Sequence, residues 1–158
     1  MADKIEIREI EDGDIAVLVR NMRKHDVQEV NAATRMGVRN AVETSVNLST
    51  YAKTGLVNDE LVCMWGVCPI SLISSSGSPW MLGTDLIEKK QRIFLRRSKP
   101  WLEDIKKGYK TLENHVDDSC TKFRKFHPVS FYHIQEWPVG KRIIVIILHN
   151  YQINTFDI

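Results

Sequence analysis

Residues 61–91 read LVCMWGVCPISLISSSGSPWMLGTDLIEKKQ. Leu61 to Cys68 is nearly all apolar, the pattern of a central strand covered on both faces. Pro69 closes it, because a proline ring has no N–H to give a ladder. The SSSGSP stretch at 74–79 reads as a flexible turn leading into a short strand over WMLG, residues 80–83. Asp85 and Glu88 then stand at capping-box spacing and mark a helix start, with Leu86, Ile93 and Phe94 as its apolar stripe. A strand that passes through a bare Gly-Thr-Asp step into a cationic helix is where α/β folds often seat a phosphorylated ligand. What Gly83, Thr84 and Asp85 can hold therefore bears on the whole reading.

Working outward, Ile5 and Ile7 alternate with charges and fit a first strand with one buried face. EDGD breaks it, Asp14 is a candidate N-cap, and Ile15, Leu18, Val19 and Met22 give an amphipathic helix over 14–24. Residues 26–33 read as a second short helix or its continuation. Val38, Ala41, Val42, Val46 and Leu48 carry a third helical stripe. TYAKTGLV (50–57) is a strand and NDE (58–60) a turn. Downstream, Pro100 predicts a kink near 98–100, after which Trp101, Leu102, Ile105 and Tyr109 resume the stripe. Thr111 to Val116 is a further strand. KRIIVIILHNYQI (141–153) is another, with WPVG as the turn before it. The order β, α, α, α, β, β, β, α, β predicts an α/β or α+β chain around one sheet, folded as a single domain over 1–158.

The chain is long enough to bury roughly 70% of its unfolded surface. Its 43% hydrophobic and 27% charged residues are those of an ordinary globular protein, which argues against disorder. A net charge of +2 carries no global nucleic-acid signature, but the distribution is uneven. Residues 1–60 hold 8 Lys/Arg against 11 Asp/Glu, whereas residues 88–110 hold 9 Lys/Arg against 3 Asp/Glu. Cys63, Cys68 and Cys120 lack CxxC spacing, and Cys63 and Cys68 would face opposite sides of one strand, so buried thiols are expected rather than a bridge or a metal. The start, MADKIEIREIED, lacks the apolar core of a signal peptide, and the longest apolar run, Ile143 to Leu148, is too short to span a bilayer.

Taken with this order, MRKHDVQEV (22–30), STYAKTGLV (49–57), MWGVCPI (64–70), GSPWMLGTD (77–85), FLRRSKPWLEDI (94–105) and LENHVD (112–117) carry a resemblance. The chain resembles the acyl-CoA N-acyltransferase (GNAT) fold. More narrowly, it resembles a phage family that includes the internal virion protein A of short-tailed coliphages, over residues 4–118. The resemblance implies a central mixed, mostly antiparallel sheet flanked by helices. It also implies acetyl-CoA as a cofactor, placed between 64–68 and 80–85 and touched by Trp65, Val67, Gly83, Thr84, Lys89 and Lys90. Two departures matter. Acyltransferases of this fold usually carry [QR]xxGx[GA] between the fourth strand and the next helix, where this chain has LGTDLIEKKQ with one glycine and an acidic residue. Two like charges about 4 Å apart cost on the order of 4 kcal/mol at intermediate dielectric, so Asp85 opposes a diphosphate there. After Asp118 the family pattern is lost, and 119–158 is divergent.

Asp26 and Glu29 lie at i, i+3 beside the place where such enzymes admit an acceptor, and either carboxylate could take an amine proton. The competing reading is a solvated face or an N-cap at Asp26. His115 on the LENHVD strand could serve acid/base chemistry if it sits in a cleft, or be a packed or surface histidine. Ser45 and Ser49 at i, i+4 could share a cleft, and His127 and His133 lack a third ligand for zinc. Trp65, Trp80 and Trp101 fit packing residues. The strip Lys89, Lys90, Arg92, Arg96, Arg97 and Lys99 could bind a phosphate, track nucleic acid or be solvated surface, spread around more than one helix face. Two expectations follow. The first is a phage accessory factor of GNAT fold with weak or absent acyl-CoA catalysis, located in the host cytoplasm or the virion, with virion or host proteins or nucleic acid as partners. The second is an active N-acetyltransferase acting on a host or phage amine.

Overall fold

The computed structural model describes residues 3–71, 73, 75–90, 93, 100, 104, 108–109, 111–117, 132–136 and 142–149. Strand β1 (Ile5–Arg8) leads into helices α1 (Asp14–Asn21), α2 (Lys24–Ala33) and α3 (Val38–Leu48). Strands β2 (Tyr51–Val57), β3 (Glu60–Pro69) and β4 (Ser76–Gly83) follow, then β5 (Thr111–Asp117), β6 (Tyr132–Glu136) and β7 (Arg142–His149). Residues 86–90 are helical. Among the described residues, these seven strands form one sheet in the order β1-β2-β3-β4-β5-β7-β6. Neighbours are antiparallel except β4 and β5, which are parallel. The expected mixed, mostly antiparallel sheet with flanking helices is present. The divergent tail supplies β6 and β7, which complete its far edge.

The hydrophobic periods place the layers. Leu18 of α1 and Val42 of α3 meet Leu61 and Met64 of β3 on one face, with Trp80 and Leu82 packed beside them. Cys63, Trp65 and Val67 cover the other face together with Ile87 and Leu112. Leu61 and Met64 share a face, despite odd spacing, because the β2–β3 register shifts at Gly55/Leu56 and leaves Val62 as an extra residue. Asn58 and Asp59, both at positive φ, make the two-residue hairpin turn between β2 and β3.

Three local readings are corrected. Asp14 is not an N-cap: Gly13 holds that position at φ 92°, and helix α1 begins at Asp14. The Asp14 carboxylate instead accepts from both Arg8 terminal nitrogens at 2.7 and 3.0 Å, from Glu11 N–H and from Thr54 Oγ1. The predicted 14–24 helix stops at Asn21, because Met22 and Arg23 are extended and pair with the end of β4. The SSSGSP turn is also partly strand, since β4 starts at Ser76 and Pro79 lies inside it, opposite Val67. The predicted kink at 98–100 and the WPVG turn fall on residues other than the described ones, apart from the helical Pro100.

Candidate functional site

Pro79 is tolerated because of which way β4 turns its backbone. Ile70 N–H bonds to Ser76 O, so even-numbered residues of β4 face β3 and odd-numbered ones face the opposite edge. Gly77, Pro79, Met81 and Gly83 therefore direct their backbone groups toward the β5 side. Among the described residues, pairing of β4 with β5 is confined to Ser76–Gly77 against Thr111–Leu112. The next β4 position on that side is Pro79, which has no N–H to continue a ladder. Beyond it the two parallel strands split, and Met81 is 44% exposed. The split opens toward Gly83.

At its open end the chain closes on itself. Gly83 N–H donates to Asp26 Oδ2 at 2.7 Å, and Gly83 O accepts from Arg23 N–H at 3.0 Å. Thr84 N–H donates to Val62 O at 2.9 Å, and its hydroxyl reaches both Leu61 O and Val62 O. The bulge at Val62 is what turns those two carbonyls toward Thr84. Asp85 N–H donates to Asn21 O at 3.2 Å, and Ile87 N–H to Thr84 O at 3.0 Å. The amides of 83, 84 and 85 are thus all engaged within the chain. Only Thr84 and Asp85 separate the end of β4 from the helical residues 86–90.

Asp26 and Arg23 give this junction its electrostatics. Asp26 is 1% exposed, and its Oδ1 lies 2.8 Å from Arg23 Nε. Burial acts to lower the Arg23 guanidinium, but the Asp26 carboxylate outweighs it and holds the group above its usual range. Nearby Cys63 is fully buried, and burial pushes its thiol far up, so it is no nucleophile.

The residues singled out from the sequence separate into several places. Gly83, Thr84 and Asp26 come together at the junction. Asp26 is not a solvated carboxylate available to an amine: it is buried and committed to Arg23 and the Gly83 amide. Glu29 is half-buried one turn further along α2. Trp65 and Val67 are core residues of β3, at 4% and 0% exposure, under Ile87 and Leu112 rather than at the surface of the split. Lys89 is exposed, and Lys90 pairs with Asp3 at 3.0 Å. His115 lies on β5, opposite Val145 of β7. Arg92, Arg96, Arg97, Lys99, Trp101, Cys120 and His127 lie outside the described residues. Ser45 and Ser49 do meet: Ser49 Oγ donates to Ser45 O at 2.6 Å and accepts from Trp80 Nε1 at 2.8 Å. Arg23 was missed by sequence reading. Its i, i+3 spacing to Asp26 was visible, but its place beside Gly83 depends on the fold. Among the described residues no cluster could hold a metal ion, and no helix is long and apolar enough to cross a membrane.

No family model and no curated protein matches the chain. Solved structures do. The yncA protein of Salmonella typhimurium, solved with its cofactor acetyl-CoA, is similar at TM-score 0.65 and 14% identity, covering 97% of this chain and 98% of that one. The ribosomal-protein-S18-alanine N-acetyltransferase of Escherichia coli is similar at TM-score 0.59 and 14% identity, covering 98% and 100%. Spermidine N-acetyltransferase of Vibrio cholerae, in complex with CoA and spermine, follows at 0.60 and 12%, covering 92% and 95%. The chain therefore has the GNAT acyltransferase fold, and the similarity extends through the tail.

The residues present do not fit the diphosphate of acyl-CoA. A diphosphate needs several unused N–H donors converging on it. Here three successive amides are spent on the chain's own oxygens, Asp85 adds a carboxylate, and only two residues separate β4 from the helical residues 86–90. A Cβ at Gly83 would lie 2.8 Å from Ile87 Cγ2, so the space above this glycine is filled by core rather than held open for a ligand.

Proposed function

We propose that this protein is a phage accessory factor built on the GNAT fold, acting through binding to virion or host proteins rather than by acyl transfer. One observation carries the reading. The Gly83 amide, at the end of β4, is bonded to the buried carboxylate of Asp26 and not left for a cofactor. The phage assignment rests on the resemblance carried by the stretches 64–70, 77–85 and 94–105. A fold shared with acetyltransferases does not by itself carry their activity.

Calorimetric titration of the full chain with acetyl-CoA tests the loss of catalysis. Absence of heat up to millimolar ligand is the expected result, and micromolar binding overturns the reading. Detection of the protein by mass spectrometry in purified particles tests the virion role. Its absence from particles, together with its absence from host complexes isolated during infection, would remove the accessory role. If the 89–99 strip contacts DNA, retention on duplex DNA will fall steeply with salt.

One feature favours a second reading, active N-acetyltransfer. The split between β4 and β5 is present, and the similar proteins of Salmonella typhimurium and Vibrio cholerae were solved with acetyl-CoA and with CoA. The same titration decides between the two.

A further inference from the structure

We infer that the Asp26 carboxylate is a built-in occupant of an oxyanion site formed by Arg23 and the Gly83 amide, so that the first turn of α2 is an autoinhibitory plug against phosphate-bearing ligands. The inference rests on the reading that this end of β4 no longer clasps a cofactor, and it explains what closed it. The Gly83 amide donates to one oxygen of the Asp26 carboxylate, and the Arg23 guanidinium forms an ion pair with the other. Gly83 N–H lies 2.7 Å from Oδ2, and Arg23 Nε lies 2.8 Å from Oδ1. A guanidinium beside a peptide N–H is a recurring way to hold carboxylate or phosphate oxygens. Here the anion held is the chain's own, 57 residues from Gly83 in sequence.

Two further facts separate this from ordinary helix capping. The N-cap of α2 is Arg23, and no side chain caps that helix, so Asp26 reaches past its own N-terminus to another element. Asp26 is also 1% exposed, so its carboxylate occupies the Gly83 amide away from water, and any external oxyanion must compete with it. The connector does not depend on this carboxylate alone. Arg23 N–H to Gly83 O and Asp85 N–H to Asn21 O hold Met22 and Arg23 against the junction independently. Removing the carboxylate should thus expose the donors and leave the connector in place.

The test compares the wild-type chain with Asp26→Ala and Asp26→Asn, using inorganic pyrophosphate as probe and sodium chloride at matched ionic strength as control. Thermal unfolding and calorimetry give the affinity, because a ligand that binds only the folded state raises its melting temperature. Asp26→Ala is expected to bind pyrophosphate about tenfold or more tighter than wild type, with a corresponding upward shift in Tm. Asp26→Asn should gain less, since its side chain still fills the site without the charge. Adding Arg23→Ala to Asp26→Ala should abolish the gain. Pyrophosphate should move the Gly83 amide resonance in the single variant and not in wild type. The inference is overturned if folded Asp26→Ala binds no tighter than wild type, or if the Gly83 resonance stays fixed while others move. Should Asp26→Ala fail to fold, Asp26→Ser, which is smaller than aspartate and uncharged, takes its place in the same comparison with the same overturning result. Acetyl-CoA binding by the wild-type chain would instead strike the proposed function, and a missing pyrophosphate gain in the variants would strike only this inference.

Discussion

Asp26 and Gly83 show how one contact can change what a position does. A carboxylate on the first turn of a helix is usually solvated or caps its own helix, yet Asp26 is buried against Arg23 and a distant amide. Deleting one partner of a buried ion pair strands the other, so Asp26→Ala should cost about 3 kcal/mol in urea unfolding, more than Asp26→Asn. Gly83 is constrained from its other side. A methyl group there meets Ile87 Cγ2 at 2.8 Å, so Gly83→Ala should destabilise by about 1 kcal/mol through overpacking. Ile87→Ala removes that clash, and the double variant should therefore lose less than the sum of the two single changes. Additive losses would show that the glycine is needed for something other than room. Little of this was legible at the residue scale. The i, i+3 pair Arg23 and Asp26 is written in the sequence, but its partner Gly83 is brought to it by the extended Met22–Arg23 connector.

Two elements decide the shape of the junction. The extra residue in β3 at Val62 aims two carbonyls at Thr84, and the proline in β4 sits where a parallel ladder would need an N–H. Neither feature was apparent from residue patterning: an all-apolar run hides a bulge, and a proline between serine and tryptophan looks like a turn. The strand pair β3–β4 is also sensitive at Gly66. A Cβ there would lie 2.7 Å from Tyr51 O and 2.9 Å from the Trp80 ring, and backbone cannot yield as a side chain can. Gly66→Ala should cost about 2 kcal/mol or more, measured by urea denaturation. The β2–β3 turn offers the opposite sign. Asp59 sits at φ 65°, which costs an L-residue energy that glycine avoids, and its ion pair with Lys4 is exposed. Asp59→Gly should raise the unfolding midpoint slightly, and a lowered midpoint would mean that the Lys4 pair matters more than the backbone.

For the whole molecule, acid stability depends on a polar cluster at the start of α1. Burial acts to raise the Asp14 carboxyl, but Arg8, Glu11 N–H and the Thr54 hydroxyl outweigh it and hold it below its usual value. A depressed carboxyl contributes stability that is fully present above its unfolded pKa and lost as pH falls through the folded one. The urea midpoint should thus be flat near neutrality and decline below about pH 4, with a lower plateau and a shallower decline in Asp14→Asn. An unchanged acid decline in that variant would place the dependence elsewhere. On this scale the sequence by itself determined most: the class, the helix and strand order and the buried β3 follow from hydrophobic period and turn chemistry, which act over a few residues, and the GNAT-like plan was implied by the resemblance carried by 64–70 and 77–85. The short β6 was missed, since Tyr132 and Ile134 alternate with polar residues over only five positions. Only the tertiary structure decided what lies against the end of β4. That outcome depends on a carboxylate, a guanidinium and a bulged carbonyl converging from α2, the α1–α2 connector and β3, and contacts across such separations leave no periodic trace in a chain.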